Sequence, residues 1–118
     1  RLIIYRKLTS AISNRELKAV LYEMEDRYGS YPLEVENLIN LLTIKIQSIS
    51  LGIIKINLQK KYIDLVFHKV NEGVSEILLD MVQQNFIKMK SPKAIQINNV
   101  DKEDLFYSIK LFYKKLGY

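Results

Sequence analysis

The spacing of the apolar residues changes near Gly52, and this change constrains the fold more than any other feature of the sequence. Before it, apolar residues recur at spacings of three and four, as in helices with one buried face. After it, apolar and polar residues alternate over 54–58 and again over 63–67, which predicts two strands that each bury one face. The sequence therefore predicts a helix-rich first half followed by a sheet.

Three helices are predicted in the first half, over residues 2–12, 14–28 and 32–51. Ser13 and Glu16 form an S-x-x-E capping box at the start of the second helix. Gly29 suits the C-terminal cap of that helix, and Pro32 suits the first turn of the third. The residues predicted to be buried are Leu2, Tyr5, Leu8 and Ile12 in the first helix, Leu17, Val20, Leu21, Met24 and Tyr28 in the second, and Val35, Leu38, Ile39, Leu41, Leu42, Ile46 and Ile49 in the third.

The second half is predicted to contain two hairpins and two helices. Lys60 and Lys61 separate the first two strands, a helix follows over 74–85, and short strands follow over 86–90 and 94–98. The last helix is predicted to have Asp101 as its N-cap and Asp104 at the capping-box position. This order predicts the α+β class, in which a helix-rich N-terminal half packs with a small antiparallel sheet of two hairpins and a C-terminal helix. With 118 residues, one domain over 1–118 is expected.

The residues that most chemistry requires are scarce. There is no cysteine, which excludes disulfides and zinc–thiolate sites, and the single histidine, His68, has no partner residues at ligand spacing. Four scattered glycines form no phosphate-binding loop. We therefore expect no catalytic residue, cofactor, metal or small-molecule substrate, and no independent enzyme. No apolar run approaches the roughly 20 residues of a membrane span, so no membrane partner is expected.

The second half is basic. Residues 53–118 carry eleven basic and seven acidic side chains, and so contribute +4 of the net charge of +5 of the whole chain. Lysines beside aromatic residues could follow a nucleic-acid backbone, which makes a nucleic-acid-binding accessory module the alternative function. Lysines at loop tips and strand edges also oppose aggregation, which explains the same residues without a ligand. The residues concerned are Lys60, Lys61, Tyr62, Phe86, Lys88, Lys90 and Lys93.

One flank of the helix over 14–28 is acidic. On a helical wheel, Glu16, Ala19, Glu23 and Asp26 fall together roughly 180–260° from the apolar stripe, and Arg27 borders them. Carboxylates on a helix flank suit a partner that presents arginines, and the small Ala19 lets that partner approach closely. An ordinary solvated helix face, with Glu23 and Arg27 as a pair four residues apart, accounts for the same pattern.

Several short motifs give the sequence a family resemblance. They are R-L-x-x-Y-R-K-L over 1–8, E-x-x-D-R-Y-G-x-x-P over 23–32, V-E-N-L-I over 35–39 and L-G-I over 51–53. Together they resemble the C-terminal domain of the bacterial transcription-repair coupling factor (Mfd) family. The resemblance covers nearly the whole chain and is densest up to residue 53.

The resemblance implies a regulatory fragment of a larger multidomain protein. Such a parent would be a cytoplasmic ATP-driven DNA translocase, a helicase-type hydrolase that binds DNA, displaces stalled RNA polymerase and recruits nucleotide excision repair. The domain would dock on the UvrB-like N-terminal module of the same polypeptide and mask its UvrA-binding surface. By resemblance, the docking residues are Glu23 and Asp26, with Arg27 beside them. The later part of the sequence departs from the family pattern, so no docking residue is assigned beyond residue 53.

Overall fold

The computed structural model describes residues 2–98, 100 and 104–118. Within them, five helices and a four-stranded antiparallel sheet confirm the predicted α+β class. In chain order the elements are α1 (Leu2–Ser10), α2 (Asn14–Tyr28), α3 (Leu33–Leu51), β1 (Ile53–Leu58), β2 (Ile63–Phe67), α4 (Glu72–Gln83), β3 (Ile87–Ser91), β4 (Ala94–Ile97) and α5 (Leu105–Lys115).

The chain divides into two compact units, residues 1–47 and 48–118. The division falls inside α3, so this helix contributes residues to both units. The expectation of one domain over 1–118 stays a prediction.

The first unit has an apolar core built from α1, α2 and the first part of α3. Tyr5 and Val20 are partly buried and pack against both of its clusters. The two clusters consist of Leu8, Ala11, Leu17, Leu42 and Ile46, and of Ile4, Met24 and Val35. Burial of such side chains is the main favourable term that holds three short helices together, because isolated helices of this length are marginal in water.

The buried face of α1 differs from the predicted one. Ile4 and Leu8 are buried, whereas Leu2 and Ile12 are exposed. Ile12 lies beyond the end of α1 at Ser10, so helical spacing does not apply to it. The prediction is confirmed at Leu8 and, in part, at Tyr5, which is partly buried. It is wrong at Leu2, because the run of three apolar residues at 2–4 fits more than one helical face.

The burial predictions for α2 and α3 were wrong at three positions. Tyr28, Leu41 and Ile49 are exposed, whereas Ile44 and Ser48 are buried. The prediction is confirmed at five other positions, which are buried: Leu17 and Met24 in α2, and Val35, Leu42 and Ile46 in α3. Because α3 extends across both units, its buried residues do not follow a single stripe along its whole length.

The predicted helix ends are confirmed for α2 and corrected elsewhere. Ser13 is the N-cap of α2, and Gly29 is its C-cap with a φ of +75°, donating its N–H to Glu25. Pro32 directly precedes α3 instead of lying in its first turn. At the last helix, Asp104 is the N-cap, since its carboxylate accepts the Tyr107 N–H at 3.0 Å.

Asp101, which was predicted as that cap, lies outside the described residues. Its predicted capping-box partner, Asp104, is three residues further along and serves as the cap itself.

The sheet of the second unit has the strand order β1-β2-β4-β3, with every neighbouring pair antiparallel. In β2 the predicted alternation is confirmed, because Ile63, Leu65 and Phe67 are all buried. In β1 it is wrong at two of the three residues, since Ile54 and Leu58 are exposed, whereas Ile56 is partly buried. A register shift between Ile53 and Lys55 leaves Ile54 as the extra residue, and its side chain is 65% exposed. Such a bulge reverses the faces on either side of it.

A buried hydroxyl pair lies in the second unit. Ser48 on α3 and Tyr113 on α5 share a hydrogen bond of 2.5 Å between their oxygens. Tyr113 is completely buried, and Ser48 is the only buried polar residue in the described part of the chain. Burial raises the pKa of Tyr113 from 10.0 to about 12, against the smaller lowering effect of the Ser48 hydrogen bond.

Candidate functional site

The described residues contain no constellation typical of an active site or metal centre. No group of three or more histidine, cysteine or acidic side chains in this part of the chain is placed to hold a metal ion. His68 follows β2 directly and is exposed. Of the helices in residues 2–98, 100 and 104–118, none has both the length and the apolar character that a membrane crossing needs.

The acidic flank predicted on α2 lies at the surface of the first unit. Glu16, Ala19, Asp26 and Arg27 are exposed, and Glu23 is intermediate. Their position follows from the core, since Leu17 and Met24 bury the opposite side of the helix. We refer to Ala19, Glu23, Asp26 and Arg27 as the α2 surface.

Glu16 belongs to the cap of the helix. Its N–H donates to the Ser13 hydroxyl oxygen at 3.1 Å, and its carboxylate accepts the Ile12 N–H at 2.7 Å. In the usual capping box the carboxylate reaches the N–H of the cap residue itself, so here it reaches one residue further back. Because this carboxylate satisfies a backbone donor, we do not count it among the groups that could pair with a partner.

Glu23 is held by two cations of its own chain. Lys7 Nζ lies 3.3 and 3.4 Å from the two carboxylate oxygens, and an Arg27 guanidinium nitrogen lies 3.5 Å from one of them. The Glu23 side chain is 29% exposed, against 51% for Lys7. Asp26 is exposed and makes no ion pair with any described residue.

Sequence reasoning assigned Glu23, Asp26 and Arg27 to one surface, and the structure places all three there. Sequence reasoning missed Lys7, which lies on α1, 16 residues before its ion-pair partner Glu23 on α2. No spacing within α2 points to that contact, because it depends on how α1 packs against α2. The alternation of charges within one helix was visible in the sequence, but the pairing between helices was not.

The α2 surface carries both signs of charge in close contact. Glu23 accepts from Lys7 and Arg27, while Asp26 offers a solvated carboxylate one turn away. A partner with arginines can bind Asp26 directly and can compete with Lys7 for Glu23. The arrangement therefore suits exchangeable ion pairs with another protein surface.

The lysines of the alternative function are spread over the sheet. Lys60 and Lys61 lie in the connection 59–62, at the start of β2. Lys93 lies at the other end of β2, where its carbonyl accepts the Phe67 N–H at 2.7 Å. These lysines are thus separated by the length of a strand.

Phe86, one of the two aromatic residues in that alternative, is already covered in part. The Lys115 ammonium lies 5.1 Å from the centre of its ring, and the residue is partly buried. Lys88 and Lys90 lie on β3, at the sheet edge opposite to β1. The lysines and the Phe86 ring therefore do not form one continuous stacking platform of the kind that single strands use.

The fold is of the α+β class, and the charged flank of α2 in the first unit is the candidate protein-binding site. Comparison with known families gives a match between the TRCF domain model and residues 1–77. The chain belongs to this family.

Three relatives found by sequence comparison are each called transcription-repair-coupling factor. The chain is 22% identical over 110 residues to the transcription-repair-coupling factor of Borreliella burgdorferi, covering 93% of this chain and 9% of that protein. It is 30% identical over 84 residues to that of Buchnera aphidicola, covering 71% and 10%. It is 32% identical over 73 residues to that of Staphylococcus epidermidis, covering 61% and 6%. The chain thus spans a tenth or less of the length of these relatives.

The fold matches a solved structure of the same family. The crystal structure of the C-terminal domain of transcription-repair coupling factor superimposes with a TM-score of 0.65 over 98% of this chain and 77% of that one. The sequence identity of the pair is 14%, so the match shows a shared fold.

Proposed function

We propose that this chain is the regulatory C-terminal domain of a transcription-repair coupling factor, and that it acts by docking. In this proposal the α2 surface binds the UvrB-like N-terminal module of the same polypeptide and masks the surface to which UvrA binds. The observation that carries the proposal is the position of two carboxylates on one helix flank, Glu23 partly exposed and Asp26 exposed, in a chain of the TRCF family.

The mechanism is steric and electrostatic. Arginines of the docked module pair with Asp26 and displace Lys7 from Glu23, and the occupied surface excludes UvrA. Removing one partner of a desolvated charge pair costs about 2–5 kcal/mol. A change of that size shifts a two-state equilibrium by a factor of roughly 30 or more. The loss of one such ion pair therefore favours the open state by that factor.

The activity of the whole parent belongs to the same proposal. The parent is an ATP-driven DNA translocase of the cytoplasm that binds DNA, displaces stalled RNA polymerase and recruits nucleotide excision repair. The present chain contributes no catalytic step and no cofactor site to that activity. Its role is to hold the parent closed until RNA polymerase is engaged.

The test uses the full-length parent and its affinity for UvrA. Glu23→Ala combined with Asp26→Ala is expected to open the protein and to raise UvrA binding. A matched control is Glu72→Ala combined with Glu76→Ala, which removes the same charge from α4 and should leave UvrA binding unchanged. If the first variant binds UvrA no better than the wild type, the α2 surface is not the docking site.

A stability control separates docking from unfolding. The first variant also removes the contacts of Glu23 with Lys7 and Arg27, which are exposed pairs worth about 0.2–1 kcal/mol. Its thermal unfolding should therefore remain close to that of the wild type. Stronger UvrA binding in a folded variant then reports opening.

A further inference from the structure

The charge pairs of the α2 surface contribute strongly to affinity only where water is excluded from them, because exposed pairs are weak. Glu23 is already paired with Lys7 and Arg27, so a partner arginine exchanges one ion pair for another. Arg15 and Lys18 are also exposed on this helix and add positive charge. Charged groups of this kind mainly set orientation and association rate, whereas affinity comes from a few well-buried anchors. The docking proposed above therefore needs an apolar group on the same flank.

Tyr22 is the side chain that meets this need. It is 76% exposed, more than any other large apolar side chain in the described part of the chain. It lies three residues after Ala19 and four before Asp26, so the three side chains form a row along one side of the helix. Tyr28, the other exposed tyrosine of α2, lies in line with the core residues Leu17 and Met24.

The folded chain makes no visible use of this residue. Within the described residues, the side chain of Tyr22 makes no hydrogen bond, ion pair or ring contact. Loss of its ring should therefore cost little stability, because surface substitutions away from specific contacts usually change the free energy of unfolding by about 0.5 kcal/mol or less. Exposed aromatic rings are, in contrast, enriched among the residues that dominate protein interfaces.

We propose that Tyr22 is the anchor of the α2 surface and inserts its ring into a recess on the docked module. This inference rests on the proposed docking function and specifies its partner surface. That surface has an apolar recess of the size of an aromatic ring, bounded by the cations that pair with Glu23 and Asp26. Ala19 leaves room for the rim of the recess, and an arginine at the rim can lie over the ring face. Burial of the ring between charged pairs excludes water from them, which strengthens their attraction.

The experiment measures UvrA affinity of the full-length parent with Tyr22→Ala. Interface anchors typically cost enough on truncation to change an equilibrium by about 30-fold or more. We expect Tyr22→Ala to raise the ratio of open to closed protein by about this factor, with UvrA binding rising accordingly and thermal unfolding unchanged. Tyr22→Phe keeps the ring and should remain close to the wild type. Tyr107→Ala removes a tyrosine that is 59% exposed on α5 and should have no effect.

The outcomes distinguish this inference from the docking function itself. If Glu23→Ala with Asp26→Ala opens the protein but Tyr22→Ala behaves as the wild type, docking stands and the anchor is refuted. If neither variant changes UvrA binding, the docking function fails and the anchor fails with it. If Tyr107→Ala opens the protein as much as Tyr22→Ala does, the effect is not specific to the α2 surface and the anchor is again refuted.

Discussion

Raising the pH above 10 should destabilise this protein through one buried hydroxyl, that of Tyr113. Its ring is completely buried, and its oxygen shares a hydrogen bond with that of Ser48. Burial raises the pKa of Tyr113 to about 12 because the phenolate would lose its hydration. In the unfolded chain the same hydroxyl titrates at about 10.

The sign and size of the effect follow from this difference in pKa. The folded state holds the proton more tightly than the unfolded state, so the stabilising contribution is complete below pH 10 and is lost as the pH rises towards 12. The whole difference corresponds to about 3 kcal/mol. Integration of the proton linkage gives a loss of less than about 1 kcal/mol at pH 10 and of about 1 kcal/mol at pH 11.

The assay is urea unfolding at pH 8, 10 and 11, with Tyr113→Phe as the comparison. Other groups also titrate in this range, so the informative quantity is the difference in the free energy of unfolding between the wild type and Tyr113→Phe. Tyr113→Phe should be less stable at pH 8, by about 1 kcal/mol for the lost hydrogen bond. The stability of Tyr113→Phe relative to the wild type should then rise with pH, because the variant has no hydroxyl to ionise at this position. The reasoning is refuted if the two proteins lose stability in parallel up to pH 11.

Two further predictions concern backbone conformation and the Lys7–Glu23 contact. Gly73 lies in the first turn of α4 with a free space at its Cβ position, so Gly73→Ala should stabilise the protein by about 0.5–1 kcal/mol. Gly29→Ala meets equally free space, but its φ of +75° and ψ of −158° strain an alanine by about 1–3 kcal/mol; equal melting temperatures for the two variants would contradict this explanation. A double-mutant cycle with Lys7→Ala and Glu23→Ala should give a coupling energy of about 0.2–1 kcal/mol at low salt, measured by urea unfolding. A coupling that persists in 1 M salt would show that the pair is not a screened surface contact.

Local signals in the sequence were sufficient for most element types and for several ends. Ser13 and Gly29 cap the two ends of α2 as predicted, because a cap depends on hydrogen bonds within a single turn. The alternation in β2 was equally informative, since both faces of a strand are defined by consecutive residues. The placement of Glu23, Asp26 and Arg27 on an exposed flank followed from helical spacing together with the stripe of Leu17 and Met24.

Predictions were wrong where the burial or register of a residue depends on how its element packs against another. The apolar run at 2–4 allowed several faces of α1, and only packing selected Ile4. The bulge at Ile54 shifts the β1 register relative to β2, and nothing within β1 indicates it. The exposure of Ile49 depends on which neighbours α3 meets along its length.

The amino-acid sequence by itself determined the α+β class, the caps of α2, the acidic flank and the TRCF family motifs, because each depends on residues within a few turns of one another. Only the tertiary structure decided that Lys7 of α1 pairs with Glu23 and that Tyr22 is the most exposed large apolar side chain among the described residues. The physical reason is that ion pairs between helices and the burial of a side chain depend on how separate elements pack, and the periodicity within one element contains no information about that packing.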